Sequence, residues 1–522
     1  MLQPISNNTS DFPKMRKRGF VYVDKTDYLY KMITGDDDCL FLARPRRFGK
    51  SLMISTLKAI FQGRRELFDG LAISKMDWKW EAYPVMHFNF GFASMPSAEE
   101  FHSAFENTVE ATIVAAGGKY DENKTAAANF GNAIDSLAIA SSGKGVVILI
   151  DEYDDPVAQL LHKKEDAEKV RDELAGFYHQ MKDRTGNIRF LMITGVSKFT
   201  KMSVFSALSN LTNISMSDEY ATMLGYTEQE LDKYFDGHIH AHAEKMGLPY
   251  DEYRSELKRW FNGYRFGKYS DETVFNPVSI GVNLSKREPA FIASWAETGK
   301  SSMLMNFIKR EDFLSIDMDA VQDVDESEFD VSDIRNLRAM PMLFQTGYLT
   351  IANYDTATRT FNLTVPDEEV RQDLATLTLA VATDFGDNWV MSLGKKLLKA
   401  KWNEFFTGLK SLYAALPYGA KEGDVQEFSF ERCLYVLLKS QAIRCKSEDR
   451  QANGQADVVA VSAVGVFIFE LKVDESADEA LKQVKDKHYD APYQGRNLPI
   501  WLIGLNFDRK TRHLLDAKVE RV

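Results

Sequence analysis

Three observations predict an α/β protein of more than one unit, with a parallel sheet in its N-terminal part. Up to about residue 225, strand-sized apolar runs alternate with segments of helical spacing, the pattern of a mostly parallel sheet covered on both faces. From about 226 to 385 the spacing is mainly helical. Beyond 386, helical stretches lead into two adjacent strands, a charged helix and a further buried strand, which makes a second α/β unit. A length of 522 residues suits about three domains at roughly 150 residues each, divided here as 1–225, 226–385 and 386–522.

Composition narrows the class. The chain is 44% hydrophobic and 27% charged, ordinary for a globular protein and unlike a disordered chain or a fibre. Lys plus Arg is 64 against 76 Asp plus Glu, a net charge of −12. That total argues against a surface coated throughout with basic groups, but it leaves room for a local basic channel, because contacts respond to the local field. Three cysteines (Cys39, Cys433 and Cys445) are too few for a disulfide scaffold, so a reducing cytoplasm is the default. The N-terminus has no apolar segment of signal type, and no apolar run approaches the ~20 residues that cross a bilayer. No membrane association is expected. No repeat of solenoid length is visible.

The elements follow in order. Cys39 to Ala43 reads as a short strand, then RPRRFGKS, then the helix LMISTLKAIF. Tyr83 to Phe90 is a strand and 98–117 a helix. Val146 to Ile150 is a fully apolar strand, 157–184 a charged helix, and Arg189 to Thr194 a further strand. In the last third, 386–416 and Phe428 to Ile443 read as helical. Ala456 to Val461 and Val466 to Leu471 are strands, 476–490 is a charged helix, and Pro499 to Leu505 is a buried strand.

RPRRFGKS carries the first chemistry. Gly49-Lys50-Ser51 fits the end of the phosphate-loop pattern G-x-x-x-x-G-K-[ST], although Arg44 stands where the first Gly belongs. Gly49 lets the backbone approach phosphate oxygens, and the helix that follows offers free N–H groups to an anion. Lys50 can reach the β- and γ-phosphates and Ser51 can hold Mg²⁺. Arg46 and Arg47 add charge within the loop, either against a triphosphate or as surface basicity or a salt bridge to a neighbouring domain. Val146 to Ile150 then runs into Asp151-Glu152. A buried strand ending in two carboxylates suits Asp151 as a Mg²⁺ ligand through water, and Glu152 as the group polarising an attacking water. Thr194, at the tip of the next strand, is placed to sense a γ-phosphate. Together these read as a P-loop NTPase.

At this point the chain resembles a known family. Val23-Asp24-Lys25-Thr26, RPRRFGKS, IDEYDDP, ITGVSKF and LGYTEQEL, in that order, look like the AAA-ATPase-like domain of many bacterial proteins. Further matches are NGYRFG at 262–267, FNPVSI at 275–280 and QTGYLTI at 345–351. The family tolerates Arg at the missing Gly position. The resemblance implies ATP as the nucleotide and is compatible with a homo-oligomer. It assigns no arginine finger; Arg265 is a guess.

A second constellation lies near the C-terminus. Asp457 sits near the start of one strand, and Glu470-Leu471-Lys472 ends the next. Alternation puts Glu470 and Lys472 on one face, and pairing of the strands brings Asp457 beside Glu470. Two close carboxylates repel unless a cation lies between them, and hard oxygen ligands favour Mg²⁺ or Mn²⁺. Lys472 can then orient a water and offset charge on a phosphorane. Glu427 and Glu431 precede the hairpin at i, i+4 on one helix face; Gln483 and Tyr489 follow it. This order of helix, two strands and helix resembles the PD-(D/E)xK nuclease superfamily over roughly 390–510, a restriction-endonuclease-like α/β domain. The resemblance carries over Asp457, Glu470 and Lys472, and matches Gln483 to the family's Gln. It leaves Glu431 or Glu427 as the upstream carboxylate. The strand opens Gly454-Gln455-Ala456-Asp457, with Gln where relatives carry Arg.

Other signals are declined. His238, His240 and His242 lack further ligands nearby and read as a solvated helix face. Residues 311–333 hold ten acidic residues and no basic one, a solvated acidic surface; Asp317, Asp319 and Asp323 miss the offsets of a calcium loop. Lys482, Lys485 and Lys487 either hold phosphates or form a charged surface. The expectation is an ATP-binding, ATP-hydrolysing protein with a Mg²⁺-dependent nuclease domain acting on nucleic acid, DNA ahead of RNA. ATP would gate the nuclease, and defence or mobile-element DNA handling would be its setting. The alternative is an ATP-driven switch whose nuclease fold is inactive and serves as a binding module.

Overall fold

The computed structural model of the chain describes residues 2–6, 9–197, 208, 210–293, 322–329, 339–416, 427–451 and 454–522. Among these, residues up to 293 together with 322–367 make one unit, and 368–522 make the other.

In the first unit two short helices, α1 (Phe12–Arg18) and α2 (Thr26–Thr34), lead into β1 (Cys39–Ala43) and α3 (Lys50–Phe61). β2 (Val85–Asn89), α4 (Ala98–Ala115), α5 (Ala126–Ala140) and β3 (Val146–Asp151) come next, followed by α6 (Asp155–Leu160), α7 (Lys164–His179), β4 (Ile188–Gly195) and β5 (Thr212–Asn213). The five strands form one parallel sheet in the order β2-β3-β4-β1-β5. Every residue of β3 is buried, as expected where helices cover both faces of a parallel sheet. Aromatic rings fill one face, with Phe130 and Phe177 stacked at 4.1 Å. β4 lies between β1 and β3, so the carboxyl ends of all three strands lie together, where α/β sheets place their ligands.

The charged stretch 157–184, expected as one helix, is broken into α6, α7 and a 3₁₀ turn at Lys182–Asn187. The break at Lys163 accompanies two tethers to the 92–96 loop: Gln159 donates to Phe92 O at 2.9 Å, and Lys163 Nζ donates to Pro96 O at 2.6 Å.

The unit continues with α8 (Glu228–Met246), α9 (Tyr250–Phe261), β6 (Asn262–Tyr264), β7 (Val274–Phe275) and α10 (Pro277–Ser285). Thr227 and Glu230 form a reciprocal capping box at the start of α8. Beyond the helices expected here, β8 (Gln322–Asp325), α11 (Ala339–Thr346), β9 (Thr350–Asp355) and β10 (Thr360–Thr364) add an antiparallel sheet in the order β8-β10-β9. Its strands are four to six residues long, too short to show a period against the helices around them. Of the calcium-loop candidates, Asp323 lies in β8, while Asp317 and Asp319 fall outside the described residues.

The second unit opens with α12 (Glu368–Thr383), α13 (Asp387–Leu398), α14 (Trp402–Ala415) and α15 (Glu427–Lys439). The 386–416 stretch is two helices, separated where Ala400 takes a left-handed φ of 51°. β11 (Arg444–Gln451), β12 (Gly454–Ser462), β13 (Gly465–Val473), α16 (Ala477–Asp486), β14 (Ile500–Phe507) and β15 (Leu514–Arg521) follow. The sheet runs β11 to β15 in sequence order; β13 and β14 pair parallel and the other pairs are antiparallel. α16 lies close on β14 because position 504 is glycine: a Cβ there would stand 2.3 Å from Ala477 O. Among the described residues no helix is long and apolar enough to cross a membrane.

Candidate functional site

The phosphate-loop sequence lies between β1 and α3. Arg47 (φ 69°) and Gly49 (φ 88°) are both left-handed, the kind of turning backbone whose amides form anion-binding concavities. Gly49 caps α3 without a side-chain hydrogen bond, which leaves first-turn N–H groups for an anion. Lys50 is buried, and its Nζ donates to the carbonyls of Arg44 at 2.9 Å and Pro45 at 3.0 Å. Burial lowers its ammonium from the ordinary value, with Asp151 and Glu152 opposing the shift. Ser51 follows in the first turn of the helix.

Asp151 ends β3 and is buried. Its Oδ1 accepts from Thr194 Oγ1 at 2.6 Å and from the Glu152 N–H at 3.1 Å. Its Oδ2 is buried with no hydrogen-bond partner among the described residues. A buried carboxylate oxygen without a donor is costly, and a bound cation removes that cost. The free helix terminus, the buried lysine and this oxygen fit a Mg²⁺-bound triphosphate.

Arg44 does not face phosphate. Its guanidinium is buried and lies 4.2 Å over the Phe266 ring. It donates to the carbonyls of Ser215, Ala43 (3.1 Å) and Tyr220 (3.2 Å). The loop is fixed from its other end by Phe48, packed against Tyr264 at 4.7 Å and Phe266 at 5.1 Å. The residue in the place of the first glycine is thus a strut, tied to the NGYRFG motif. Arg44→Gly, which restores the textual motif, is expected to destabilise this unit by about 2–5 kcal/mol, since three part-buried carbonyls lose their donor. Thermal unfolding would show the loss, with no gain in nucleotide affinity.

Arg46 is held by Asp155 at 3.0 Å, a salt bridge within its own unit rather than to a neighbouring domain. Arg265 is buried, donates to Ala352 O at 3.0 Å and pairs with Asp271 at 2.9 Å, so its guanidinium is committed within its own unit. Asp154, which the motif reading passed over, accepts from the amides of Val196 (3.1 Å) and Ser197 (2.7 Å) and from the Ser197 hydroxyl. It thereby fixes the chain leaving β4. The only prior sign of it was the excess of acids in IDEYDDP. Lys198 lies outside the described residues.

Glu152 takes a left-handed φ of 55°. Gly91 makes room for its carboxylate: a Cβ there would stand 2.3 Å from Glu152 Oε2. Burial, reinforced by Asp155, pushes the carboxyl up to about 7, in the range of a general base working near neutrality. The folded chain therefore holds this proton more tightly than the unfolded chain does. The group's contribution to stability is full below its ordinary value of 4.5 and is lost as pH rises through about 7. Glu152→Gln is expected to raise the melting temperature by a few degrees at pH 8, with the gain shrinking toward pH 5.

In the second unit the β12–β13 register places Asp457 opposite Glu470, one step beyond the Val458–Phe469 pair. Asp457 Oδ2 accepts the Leu471 N–H at 2.7 Å. Glu470 is buried; Gln483 of α16 donates to its Oε1, and Lys472 Nζ lies 3.5 Å from the same oxygen. Glu431 of α15 is buried and accepts from the Ser447 hydroxyl. Burial raises its carboxyl above the ordinary range, and the charges of Asp457 and Glu448 raise it further. The field of Asp457 thus reaches Glu431, while the side chain of Glu427 lies outside the described residues.

Among the described residues no three His, Cys, Asp or Glu side chains stand grouped as metal ligands. Instead the carboxylates of Glu431, Asp457 and Glu470 each accept a hydrogen bond from a neighbouring donor. The donor set still fits a hard divalent cation, which would relieve the repulsion registered at Glu431. The partners Ser447 and the Leu471 amide had no sequence signal. The three histidines of α8 are separately engaged: His238 with Gln3 O, His240 stacked on Tyr250, and buried His242 beside Tyr253.

Comparison with known proteins agrees with this division. A family model described as "Predicted AAA-ATPase" matches residues 6–205, and one described as "PD-(D/E)XK nuclease superfamily" matches 425–517. An "Uncharacterized protein in vnfD 5'region" of Azotobacter chroococcum mcd 1 is 32% identical over 527 residues, covering 98% of this chain and 97% of that protein. The chain belongs to the same family as that protein, and it joins a predicted AAA-ATPase domain and a PD-(D/E)XK nuclease superfamily domain in one polypeptide.

Proposed function

We propose that this chain is an ATP-gated, metal-dependent nuclease that hydrolyses phosphodiester bonds of nucleic acid, with DNA the first substrate to test. Residues 1–225 would form the nucleotide engine, 226–385 the intervening section and 386–522 the nuclease. The observation that carries the reading is the convergence of Lys472 and Gln483 on buried Glu470, with Asp457 opposite in register.

In the first unit Gly49, Arg47 and the start of α3 would seat the phosphates, and Lys50 would leave its two carbonyls for the β- and γ-oxygens. Ser51 and Asp151 would hold Mg²⁺, with Thr194 orienting Asp151 through its 2.6 Å hydrogen bond. Glu152 would take a proton from water. In the second unit Asp457 and Glu470, aided by Glu431, would hold Mg²⁺ or Mn²⁺, and Gln483 would fix Glu470. Lys472 would orient the attacking water. Bound Mg²⁺ supplies charge stabilisation and an acidified water in both sites. A cytoplasmic protein, a homo-oligomeric assembly and a role in defence or mobile-element DNA handling suit this pairing.

The hydrogen bonds that already engage Glu431, Asp457 and Glu470 favour a second reading, in which the nuclease fold is a binding module under an ATP-driven switch. End-labelled DNA and RNA incubated with the purified chain, with Mg²⁺ or with chelator, separate the two. Mg²⁺-dependent scission supports the nuclease. Intact substrate that is nonetheless bound supports the module.

A further inference from the structure

A cleft of about 370 Å³ lies within the first unit, beside the phosphate loop. Ala43, Arg44 and Pro45 line one part of it. Arg44 and Pro45 are also the residues whose carbonyls accept from Lys50 Nζ, so the cleft and the seat of Lys50 share two residues. The antiparallel sheet and its neighbours supply another part, with Phe361 of β10, Phe329 just after β8 and Phe344 of α11. Phe329 lies edge-on to Phe344 at 5.2 Å and to Phe361 at 5.0 Å. Phe266, the ring beneath the Arg44 guanidinium, is the fourth.

Packed interiors hold few voids larger than a water molecule, whose share of the liquid is about 30 Å³. A space of this size is no packing defect, and it falls in the range of about 300–1,000 Å³ that small-molecule sites occupy. Its lining is of the kind that takes a planar ring: aromatic side chains with a few polar groups. Arg44 Nε is buried with no acceptor among the described residues, a cost that a ring nitrogen or carbonyl oxygen would remove. Ser217 also lines the cleft and spends no side-chain hydrogen bond on the turn it begins. The other charged residues of the lining, Lys268 and Glu326, pair with each other. The cleft therefore suits an uncharged heterocycle better than an ion.

We propose that this cleft binds a nucleobase, held among Phe266, Phe329, Phe344 and Phe361 with its polar edge met by Arg44 and Ser217. The base belongs either to the nucleotide whose phosphates sit on the loop or to a separate nucleoside effector. The inference rests on the nucleotide reading of this unit and adds where a base is read.

The test measures binding of ATP, adenosine and inorganic tripolyphosphate to the full chain in Mg²⁺ by titration calorimetry. Phe344 is half-buried, so Phe344→Leu removes a ring at small cost to the fold, and Phe344→Tyr keeps the ring. Phe344→Leu is expected to weaken whichever base-bearing ligand wild type binds by at least about fivefold, the low end of a lost base–ring contact. It should leave tripolyphosphate unchanged. Ser217→Trp, which fills the cleft, should act likewise, and Phe344→Tyr should bind as wild type does. Adenosine displaced by ATP places base and phosphates in one ligand. Adenosine bound beside ATP, and alone weakened by Phe344→Leu, makes the cleft an effector site. Unchanged affinities in both Phe344→Leu and Ser217→Trp, or an equal loss for tripolyphosphate, overturn the base site. They leave the nucleotide reading standing if wild type binds ATP and Lys50→Ala does not. Wild type that binds none of the three overturns both.

Discussion

Asp457→Asn and Lys472→Ala are each expected to lower the single-turnover cleavage rate by about 10²–10⁴-fold, the range that a lost charge-stabilising or proton-handling group produces. The packing of the second unit should survive both. Asparagine keeps an oxygen for the Leu471 N–H that now lies 2.7 Å from Asp457. Without Lys472, Glu470 retains the amide of Gln483. Folding loss and chemical loss can therefore be told apart by thermal unfolding beside the kinetics. Asp457→Asn carries a second signature. The charge at 457 helps to hold the Glu431 carboxyl above its ordinary range, so the variant should bring that group down, seen as a shift in the carboxyl titration of the metal-free protein. Glu427→Gln, by contrast, should leave both readouts near wild type.

The second large effect concerns ATP. Lys50→Ala is expected to weaken ATP binding by about 2–4 kcal/mol, or about 30- to 1,000-fold, because a buried charge-assisted contact to phosphate is lost. The same change removes the donor for the Arg44 and Pro45 carbonyls, so the loop should also loosen without nucleotide. Glu152→Gln should behave differently. The carboxylate touches neither the helix terminus nor Lys50 by hydrogen bond, so binding of ATP should stay within a few-fold of wild type while hydrolysis falls about a hundredfold or more. A fluorescent ATP analogue reads the first quantity and phosphate release the second. With Lys50→Ala losing binding and Glu152→Gln losing only turnover, the roles of loop and base are separated.

Much of this was legible in the sequence for identifiable reasons. β3 is six consecutive buried residues ending in acids, and a strand covered on both faces must read as an unbroken apolar run. β13 carries Glu470 and Lys472 on one side because strand alternation leaves no other choice. Edge strands gave no such signal. β11 (RCKSEDRQ) and β15 (LLDAKVER) meet solvent along much of their length, and their composition suits a loop as well as a strand. The choice between Glu427 and Glu431 was open because residues four apart share a helix face; the contacts of Glu431 with Ser447 and the field of Asp457 come from another element and leave no local sign. The role of Arg44 had no local sign. It stood out only as a departure from the motif, whereas its partners, Ser215, Tyr220 and Phe266, come from segments more than 170 residues away. No local pattern can announce such a partner.

Coupling of an ATP site to a working nuclease in one chain can be read from single-turnover cleavage of the preferred nucleic acid in Mg²⁺, run without nucleotide, with ATP and with a non-hydrolysable analogue, for wild type, Lys50→Ala and Lys472→Ala. Wild type is expected to cut at a rate that nucleotide changes, Lys50→Ala to cut but ignore nucleotide, and Lys472→Ala not to cut. Cutting by Lys472→Ala at the wild-type rate, or a wild-type rate indifferent to nucleotide, would rule out such coupling.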